Sequence, residues 1–341
     1  MVVSGRQNPV VVITGPTASG KSDLAIELCK EIDGEVISLD SVQVYKGLDI
    51  GSAKVRDFQG IRHHLIDLLP PTEQMDAARF GRLAREKVGE IFARGKRPVV
   101  AGGSGLYLVS FVDGLTDMPP ADKELRERFR KQKTQDLYNR LVELDPEIAK
   151  ELHPEDRIRI ERALEVIAIS GRKLSILRKE GLKERLKFPV VVFVLCWERE
   201  RLYERINLRS RKLVDSGIVE EARGIIKEYG SRDLFPFRSV GYKEALEVIN
   251  GNLKEEDLAD AIAQATRRLA KRQMTFFRNQ PEILGWECEP RQETLKKADK
   301  KPKSFNWVDL SFRELIDISL RGLELGLRRV YYIGGEALLL P

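Results

Sequence analysis

Short candidate strands alternate with longer stretches of helical periodicity over the first two hundred residues of the chain. A β-branched run at 10–14 is followed by Leu24, Leu28 and Ile32 at helical spacing, and further candidate strands lie at 36–39, 64–67, 98–102 and 190–195. Near-continuous apolar runs are typical of strands buried on both faces, and helices between them favour parallel connections. The pattern therefore predicts an α/β fold with a parallel sheet.

The interval between the candidate strands at 98–102 and 190–195 is too long for a single crossover connection. Its middle, from Met118 to about Lys187, is highly charged and mostly helical in period, with Pro119, Pro120 and Pro189 near its ends. We interpret it as an inserted helical domain. The chain then divides into a first core segment at 1–118, the insertion at 119–187, a second core segment at 188–290, and a lysine-rich linker and C-terminal extension at 291–341. In the extension, a short amphipathic helix is predicted from Leu315, Ile318, Leu320 and Leu323.

A glycine-rich loop separates the first candidate strand from the first candidate helix. Gly15, Gly20, Lys21 and Ser22 match the phosphate-loop pattern G-x-x-x-x-G-K-[ST]. Backbone N–H groups in such a loop, and the positive end of the helix after it, bind anions, while the lysine adds a cation and the serine oxygen can bind Mg²⁺. We expect a phosphate compound, which the loop alone does not identify, to be bound by Gly15, Pro16, Thr17, Ala18, Ser19, Gly20, Lys21 and Ser22.

Asp40 follows the second candidate strand and should lie at the edge of the sheet where ligands bind. A carboxylate near a phosphate loop can help order Mg²⁺ or act as a base beside the transferred group. Asp40 and Ser41 would also serve as a helix N-cap or a turn. On spacing alone, the functional and the structural interpretation both remain open.

Composition excludes few classes of function. The chain has 341 residues, a formal net charge of +6 and a pI of about 9.1, which weakly favours polyanionic partners. Its three cysteines, Cys29, Cys196 and Cys288, are too far apart for a disulfide framework or a zinc site. This cysteine usage fits a reducing cytosol, so we expect a cytoplasmic location. No apolar run reaches about 18 residues, so we expect no membrane span. No metal-ligand spacing surrounds His63 and His64, which favours packing or hydrogen bonding for both.

Basic residues are concentrated near the end of the second core segment. Between residues 261 and 281 there is no acidic residue, and Arg267 with Lys271, like Arg268 with Arg272, would lie on one helical row. Leu269 and Phe276 fall between these rows and are expected to pack inward. Such a helix is either a solvated face or a binding surface for a nucleic-acid backbone. A second basic cluster in the insertion, Arg159 and Arg162, suits the latter.

The order of several motifs resembles that of bacterial tRNA dimethylallyltransferases. GPTASGKS is followed by DSVQVYKGLDIGSAK at 40–54, HHLIDLL at 63–69 and VVAGGSGLYL at 99–108. The resemblance continues through IRIERALEV at 158–166, RINLRSRKLVDSGIVEE at 205–221, RSVGYKE at 238–244 and ATRRLAKRQMTFFR at 265–278. It covers roughly residues 10–280, and the shared order makes it specific.

The resemblance implies a P-loop NTPase-like parallel sheet with an inserted helical domain. It implies transfer of a dimethylallyl group from dimethylallyl diphosphate to N6 of the adenine 3′ of the anticodon, position 37 in tRNA, with the loop holding the donor diphosphate. Asp40 would be the catalytic base, Ser104 would help hold the adenine, and Lys21 would stabilise the leaving group. Ser22 would hold Mg²⁺, and Arg209 would be a further diphosphate contact.

Two positions depart from the family pattern. Ser104 stands where threonine is usual and keeps the hydroxyl, so its role is expected to survive. Phe276 replaces a tryptophan and cannot perform any polar task of the indole.

The implied partners are tRNA and dimethylallyl diphosphate, with Mg²⁺ as cofactor, for a protein that we expect to be a monomer. The residues expected to contact tRNA lie in the insertion, in the loops around Asp40 and Ser104, and in the second core segment. They are Asp40, Ser41, Val42, Gln43, Ser104, Arg126, Ile158, Arg159, Ile160, Glu161, Arg162, Arg238, Ser239, Val240, Gly241, Tyr242, Lys243, Arg267, Lys271 and Arg272.

Three other functions remain open from the residues alone. A regulatory NTPase or motor is disfavoured, because the sequence shows no apolar strand that ends in a clear Walker-B aspartate with an adjacent catalytic glutamate. A small-molecule P-loop kinase would use the same loop with ATP, although it should show a nucleotide lid rather than two distant basic clusters. An adenylate isopentenyltransferase would prenylate a free nucleotide. The GPTASGKS and AKRQ segments are more similar to the tRNA-modifying branch.

Overall fold

A computed structural model describes residues 9–55, 57–181, 184–283, 287–288 and 329–334 of the chain. Its side chains are described up to Phe277. The lysine-rich linker and the amphipathic helix predicted around Leu315 to Leu323 lie outside these residues.

Seven strands form one parallel sheet in the order β3-β2-β4-β1-β5-β7-β6. Val12 of the central strand is in register with Val100 of one neighbour and Val192 of the other. The strands are β1 (Val10–Thr14), β2 (Gly34–Ser38), β3 (His63–His64), β4 (Arg97–Ala101), β5 (Val190–Cys196), β6 (Glu287–Cys288) and β7 (Arg329–Gly334). The α/β fold with a parallel sheet is confirmed.

Twelve α-helices accompany the sheet within the described residues. Short 3₁₀ helices occur at Phe235–Arg238 and Glu255–Asp257. The α-helices are α1 (Lys21–Ile32), α2 (Ala77–Ala93), α3 (Gly105–Asp113), α4 (Lys123–Arg130), α5 (Thr134–Leu144), α6 (Pro146–Glu151), α7 (Arg157–Ser170), α8 (Leu174–Gly181), α9 (Arg199–Asp215), α10 (Ile218–Tyr229), α11 (Tyr242–Ile249) and α12 (Leu258–Ile283). None of the helices in the described part of the chain is long and apolar enough to cross a bilayer.

The chain divides into two compact units. The first comprises residues 1–76, 83–108 and 187–341 and contains the sheet; the second comprises residues 77–82 and 109–186 and is helical. The second unit begins ahead of the boundary predicted at 119 and includes the first six residues of α2. Each unit has its own apolar core, formed by β1, β4 and β5 against α1 in the first and by α4 to α8 in the second.

The prediction of a strand at 64–67 is wrong beyond His64, where the observed strand β3 ends. Leu65 and Asp67 have φ values of 61° and 53°, in the left-handed region, so the chain turns there instead of continuing as a strand. β3 is nevertheless fixed to its neighbours, because His64 Nε2 lies 2.5 Å from Glu35 Oε2 and Arg94 Nη2 donates to the same oxygen at 2.7 Å. Burial alone would raise the pKa of Glu35, but the hydrogen bonds from Arg94 and His64 hold it below its ordinary value.

Candidate active site

A cavity of about 1030 Å³ opens in the first unit at the carboxyl ends of the central strands. Loops after β1, β2 and β4 line it, together with residues 51–53 and 55, residues 238–240, α9 and α12. Ligands in open parallel sheets bind at this edge, where the chain direction brings successive loops together. The loop containing Lys21, the turn at Asp40 and the loop containing Ser104 therefore meet at one cavity.

The phosphate loop between β1 and α1 depends on its two glycines. Gly15 has a φ of 140°, and a Cβ there would lie 2.6 Å from the backbone oxygen of Leu195. Gly20, with a φ of 90°, immediately precedes α1. The first N–H groups of a helix have no partner within it, so the peptides of Lys21 and Ser22 can bind an anion.

Trp197 and Arg205 support this loop from the side of β5 and α9. Trp197 Nε1 donates to Ser19 O at 3.0 Å, and Arg205 Nε donates to Ala18 O at 2.8 Å. The Arg205 guanidinium lies 4.5 Å from the centroid of the Trp197 ring. The C=O and N–H of a trans peptide point in opposite directions, so bonding these carbonyls turns the N–H groups of Ser19 and Gly20 the other way.

Lys21, Arg209 and Asp40 form the charged centre of the cavity. Burial, and secondarily the charge of Arg209, lower the pKa of Lys21 to about 7, while Asp40 acts in the opposite direction. Burial also lowers the pKa of Arg209, again opposed by Asp40. Lys21 Nζ donates to Pro16 O at 2.6 Å and lies 3.4 Å from Ser19 Oγ. Two cations held close in a partly desolvated site are stabilised by a bound polyanion.

Asp40 combines the two interpretations that its spacing allows. Its Oδ1 accepts hydrogen bonds from Val42 N at 2.8 Å and Gln43 N at 3.2 Å, which makes it the side-chain cap of a turn. Among the described residues, no group donates a hydrogen bond to Oδ2, and Asp40 lines the cavity. The turn therefore fixes a carboxylate that still has an oxygen available to a ligand.

The loop containing Ser104 is held against both neighbouring strands. Thr14 Oγ1 donates to Gly102 O at 2.8 Å, and Ser104 N lies 3.4 Å from Leu39 O. A Cβ on Gly102 would lie 2.1 Å from Leu39 O, so a side chain cannot be accommodated there. Ser104 consequently lines the cavity beside the chain segment that leads into Asp40.

Several predicted RNA contacts line the same cavity. Gln43 is oriented by Ser38, whose Oγ donates to Gln43 Oε1 at 2.8 Å. Arg238 is exposed and forms an ion pair with Asp233 at 3.1 Å. Lys243 is exposed on α11, outside the cavity lining. Ser41, Val42, Ser239 and Val240 also line the cavity, as do the predicted contacts Asp40, Ser104 and Arg272.

Helix α12 presents its predicted basic residues unequally. Lys271 and Arg272 are exposed, and Arg272 lines the cavity. Arg267 Nη1 instead donates to Asn207 Oδ1 at 2.7 Å, and its guanidinium lies 5.8 Å from the centroid of the Tyr203 ring. Leu269 and Phe276 were expected to pack inward, but both remain partly exposed and line the cavity.

The prediction that the side chains of Ile160 and Tyr242 contact RNA is wrong, because both are buried. Ile160 has no exposed surface and belongs to the core of the helical unit. Tyr242 is equally buried, and its hydroxyl hydrogen-bonds the Glu221 carboxylate. Gly241 is also buried, with its N–H donating to Glu244 Oε2 at 2.7 Å. Ile160, Gly241 and Tyr242 therefore contribute to packing and local conformation and not to an exposed binding surface.

In the helical unit, Arg126 and Arg162 share one buried carboxylate. Glu165 has no exposed surface and accepts from Arg126 Nε at 2.9 Å, Arg162 Nη1 at 2.5 Å and Asp122 N at 2.8 Å. Nearby in sequence, Arg159 and Ile158 are exposed, with 71% of the Arg159 side chain and 82% of Ile158 accessible. Glu161, also a predicted contact, is half-buried and pairs with Arg157 at 2.7 Å.

The sequence patterns do not indicate Trp197, Arg205 or Gln273 as parts of the site. Arg205 lies one helical turn before Arg209, and that spacing is a signal for a shared helix face. Gln273 lies in the AKRQ segment that contributes to the family resemblance. Trp197 offers no such signal, because its contact with the loop after β1 depends on the sheet.

Ser22 is the residue at which a magnesium ion could be held. It is exposed in the first turn of α1 and lines the cavity together with Asp40. No cluster of three or more histidine, cysteine or carboxylate side chains that could hold a metal occurs in the described ranges. Mg²⁺ at phosphate sites takes one or two protein oxygens and completes its shell with phosphate and water oxygens. The donor set therefore fits an ion that arrives with a diphosphate.

Comparison with known proteins places the chain in a family. The sequence model described as IPP transferase matches residues 43–280. The tRNA dimethylallyltransferase 1 of Citrifermentans bemidjiense is 43% identical over 280 residues, covering 82% of this chain and 92% of that protein. The tRNA dimethylallyltransferase of an Exiguobacterium species is 43% identical over 282 residues, covering 81% and 89%.

Solved structures agree with the sequence relatives. The full-length tRNA isopentenylpyrophosphate transferase of Bacillus halodurans has 37% identity and a TM-score of 0.58, covering 80% of this chain and 88% of that one. A eukaryotic dimethylallyltransferase acting on tRNA has 30% identity and a TM-score of 0.68, covering 82% and 72%. Since both the family match and the relatives span most of its length, the chain belongs to the IPP transferase family.

Proposed function

We propose that the protein transfers a dimethylallyl group from dimethylallyl diphosphate to N6 of the adenine 3′ of the anticodon in tRNA, position 37, and releases diphosphate. One observation carries the proposal: a single cavity is lined by an anion-binding loop, a carboxylate with an available oxygen and a loop hydroxyl. The names of the relatives, all tRNA dimethylallyltransferases, support the same acceptor.

The reaction is a displacement at C1 of the prenyl group. The bond from adenine N6 to C1 forms while the bond from C1 to the diphosphate oxygen breaks, and the electron pair leaves with the diphosphate. The N6 lone pair is delocalised into the ring, so the amine is a weak nucleophile. Asp40 Oδ2 would accept the N6 proton, and Ser104 would hold the adenine by a hydrogen bond.

Stabilisation of the leaving group is the task of the phosphate loop. Negative charge grows on the diphosphate as the C1–O bond breaks, and Lys21, Arg209 and the loop N–H groups lie where they can offset it. Ser22 would hold Mg²⁺, whose positive charge would further offset the charge of the leaving group. Trp197 and Arg205 keep the loop in its binding conformation, since each bonds one of its carbonyls.

The RNA would reach the cavity with its adenine unstacked. Moving a base out of its stack costs less free energy in a loop than in a duplex, and the target adenine lies beside the anticodon in a loop. In the first unit, Arg238 and Arg272 line the cavity and Lys271 is exposed on α12; in the helical unit, Arg126, Arg159 and Arg162 provide cations. We propose that the protein acts as a monomer in the cytoplasm.

Prenyl transfer is tested with labelled dimethylallyl diphosphate and three acceptors: unmodified tRNA with adenine 3′ of the anticodon, the same tRNA with guanine there, and AMP. We expect Mg²⁺-dependent transfer to the first only. Binding energy from the distant RNA surface positions the adenine, and a free nucleotide lacks it. Efficient prenylation of AMP would instead identify an adenylate isopentenyltransferase. Phosphorylation of a small molecule by ATP, without prenyl transfer, would identify a kinase.

A further inference from the structure

The side-chain amide of Gln273 joins two loops that line the cavity from different strands. Its Oε1 accepts a hydrogen bond from Thr17 N at 2.9 Å, and its Nε2 donates to Gly103 O at 3.0 Å. Thr17 belongs to the phosphate loop after β1, and Gly103 directly precedes Ser104 in the loop after β4. Both hydrogen-bonding functions of the amide are thus used to connect the two loops.

Glycines make room for α12 at this point. A Cβ on Gly103 would lie 2.6 Å from Gln273 Nε2, and a Cβ on Gly105 would lie 2.3 Å from the ring of Phe276. Gln273 and Phe276 are one helical turn apart, so one face of α12 rests directly on the backbone of the loop containing Ser104. The helix fits only because two side chains are absent from that loop.

The same two loops are already joined at their bases. Gly102 N donates to Ile13 O at 3.1 Å, and Thr14 Oγ1 donates to Gly102 O at 2.8 Å. Gln273 adds a connection nearer their tips, where the diphosphate and the adenine would be held. The neutral amide of Gln273 supplies both the oxygen that accepts from Thr17 N and the nitrogen that donates to Gly103 O, and asparagine, which carries the same amide, is one methylene shorter.

We infer that Gln273 is a positioning residue that sets the separation between C1 of the prenyl donor and N6 of the adenine. The inference rests on the proposed function. Gln273 acts through Thr17 and through the loop containing Ser104, because its amide oxygen bonds Thr17 N and its amide nitrogen bonds Gly103 O. Displacement requires the reacting atoms to approach within about 3–3.5 Å, and a misplacement of about 1 Å costs roughly 100-fold in rate. The two hydrogen bonds of Gln273 should therefore affect the rate of prenyl transfer more than the affinity for either substrate.

The test compares the wild-type protein with Gln273→Met, which keeps the length of the side chain and removes both hydrogen bonds. We expect the single-turnover rate of prenyl transfer to fall about 10- to 100-fold. The Kd values for dimethylallyl diphosphate and for tRNA, each measured separately, should change less than about threefold. Thr275→Ala is the matched control, since Thr275 is exposed on the same helix and its hydroxyl donates to the backbone oxygen of Lys271, one turn earlier in that helix.

A second variant disturbs the same hydrogen bonds from Gly103, whose backbone oxygen accepts from Gln273 Nε2. Gly103→Ala places a methyl group 2.6 Å from Gln273 Nε2 and 3.1 Å from Gly15 O; the closer and more flexible amide should be displaced, giving a similar loss of transfer rate. The double variant should lose little more than either single variant, because both remove the same connection. Additive losses would show that the two positions act separately and would overturn the inference.

Three further results would also overturn it. A loss of tRNA affinity alone would make Gln273 an RNA contact. A lower melting temperature with a normal single-turnover rate would make it a structural residue. A normal rate for Gln273→Met in a folded protein would remove it from positioning altogether. If the wild-type protein itself transfers no prenyl group to any acceptor, the proposed function fails and the inference fails with it.

Discussion

At the scale of single residues, the protonation of Lys21 is coupled to the occupancy of its loop. With a pKa of about 7 in the free protein, Lys21 is only partly charged at neutral pH. A bound diphosphate favours the charged form and raises that pKa, so binding between the free and bound values takes up a proton. The affinity for diphosphate should accordingly weaken as the pH rises above about 7.

This coupling predicts net proton uptake when diphosphate binds at pH 8. Calorimetry in two buffers of different ionisation enthalpy should give uptake approaching one proton for the wild-type protein. Lys21→Arg should bind with little uptake, because an arginine remains charged throughout this range. Equal uptake by both proteins would assign the proton to another group.

Asp40→Asn should lower the single-turnover rate of prenyl transfer by about 100- to 10,000-fold, the range typical of a lost general base. The amide oxygen of asparagine can still accept from Val42 N and Gln43 N, so the turn should persist and diphosphate binding should change little. Asp40→Ala removes the turn as well and separates the two effects. A near-normal rate for a folded Asp40→Asn protein would contradict the role of Asp40 as base.

Residues with a local motif are the ones that sequence predicts well here. Lys21 and Asp40 follow strands whose ends form the ligand edge, and their position in the cavity follows from the order of strand, loop and helix. Trp197, Arg205 and Gln273 reach the phosphate loop from segments far along the chain. Their roles depend on the packing of β5, α9 and α12, which no short pattern encodes.

At the scale of elements, α12 combines a supporting face with an exposed basic face. Gln273 and Phe276 rest on the loop containing Ser104, whereas Lys271 and Arg272 remain exposed. Arg267 belongs to neither group, because it packs on α9 through Asn207 and Tyr203. Helical spacing predicts the basic rows correctly but cannot distinguish a cation that has a protein partner from one that has none.

Charge reversal at Lys271 and Arg272 should therefore weaken tRNA binding and reduce its dependence on salt. Each lost phosphate contact should lower the slope of log affinity against log salt by about one unit. Arg223→Glu, the same reversal of one charge at an exposed position on α10 away from the cavity lining, is the control for each single reversal. An unchanged slope for the double reversal would make this face a solvated one.

At the scale of the whole molecule, the position of charge matters more than its sum. Burial alone would raise the pKa of Glu165, but hydrogen bonds from Arg126 and Arg162 hold it below its ordinary value. Glu165 therefore stabilises the fold when ionised, and this contribution is lost as the pH falls toward and below its folded pKa. The same carboxylate holds two guanidinium groups close together, which their mutual repulsion would otherwise oppose.

Glu165→Gln raises the net charge of the chain from +6 by one unit, so charge counting alone predicts tighter RNA binding. We expect the opposite, a several-fold weaker binding of tRNA, because Arg126 and Arg162 lose the group that orients them. Binding should be measured below the melting temperature of the variant, with the salt dependence as a second measurement. Tighter binding would show that orientation of the two arginines is unimportant.

The fold itself was predictable as far as the core strands, since their apolar runs report burial directly. The short β3 was overestimated because left-handed residues such as Leu65 interrupt it without any glycine to mark them. β7 was not predicted, although it pairs with β5 along its whole length from Val191 to Cys196. A strand that joins the sheet so late in the chain gives no local sign of its partner.

That late strand has a consequence for biosynthesis. All seven residues of β5 are buried and apolar or sulfur-containing, and one side of β5 is covered by β7, which ends at Gly334 of a chain of 341 residues. At ordinary rates of translation, the ribosome finishes β5 on the order of ten seconds before β7 can reach it. During that time β5 is an open hydrophobic edge, the kind of surface on which nascent chains aggregate. Proteolytic removal of the chain from Arg329 onward, which takes β7 away, would leave the same edge of β5 uncovered.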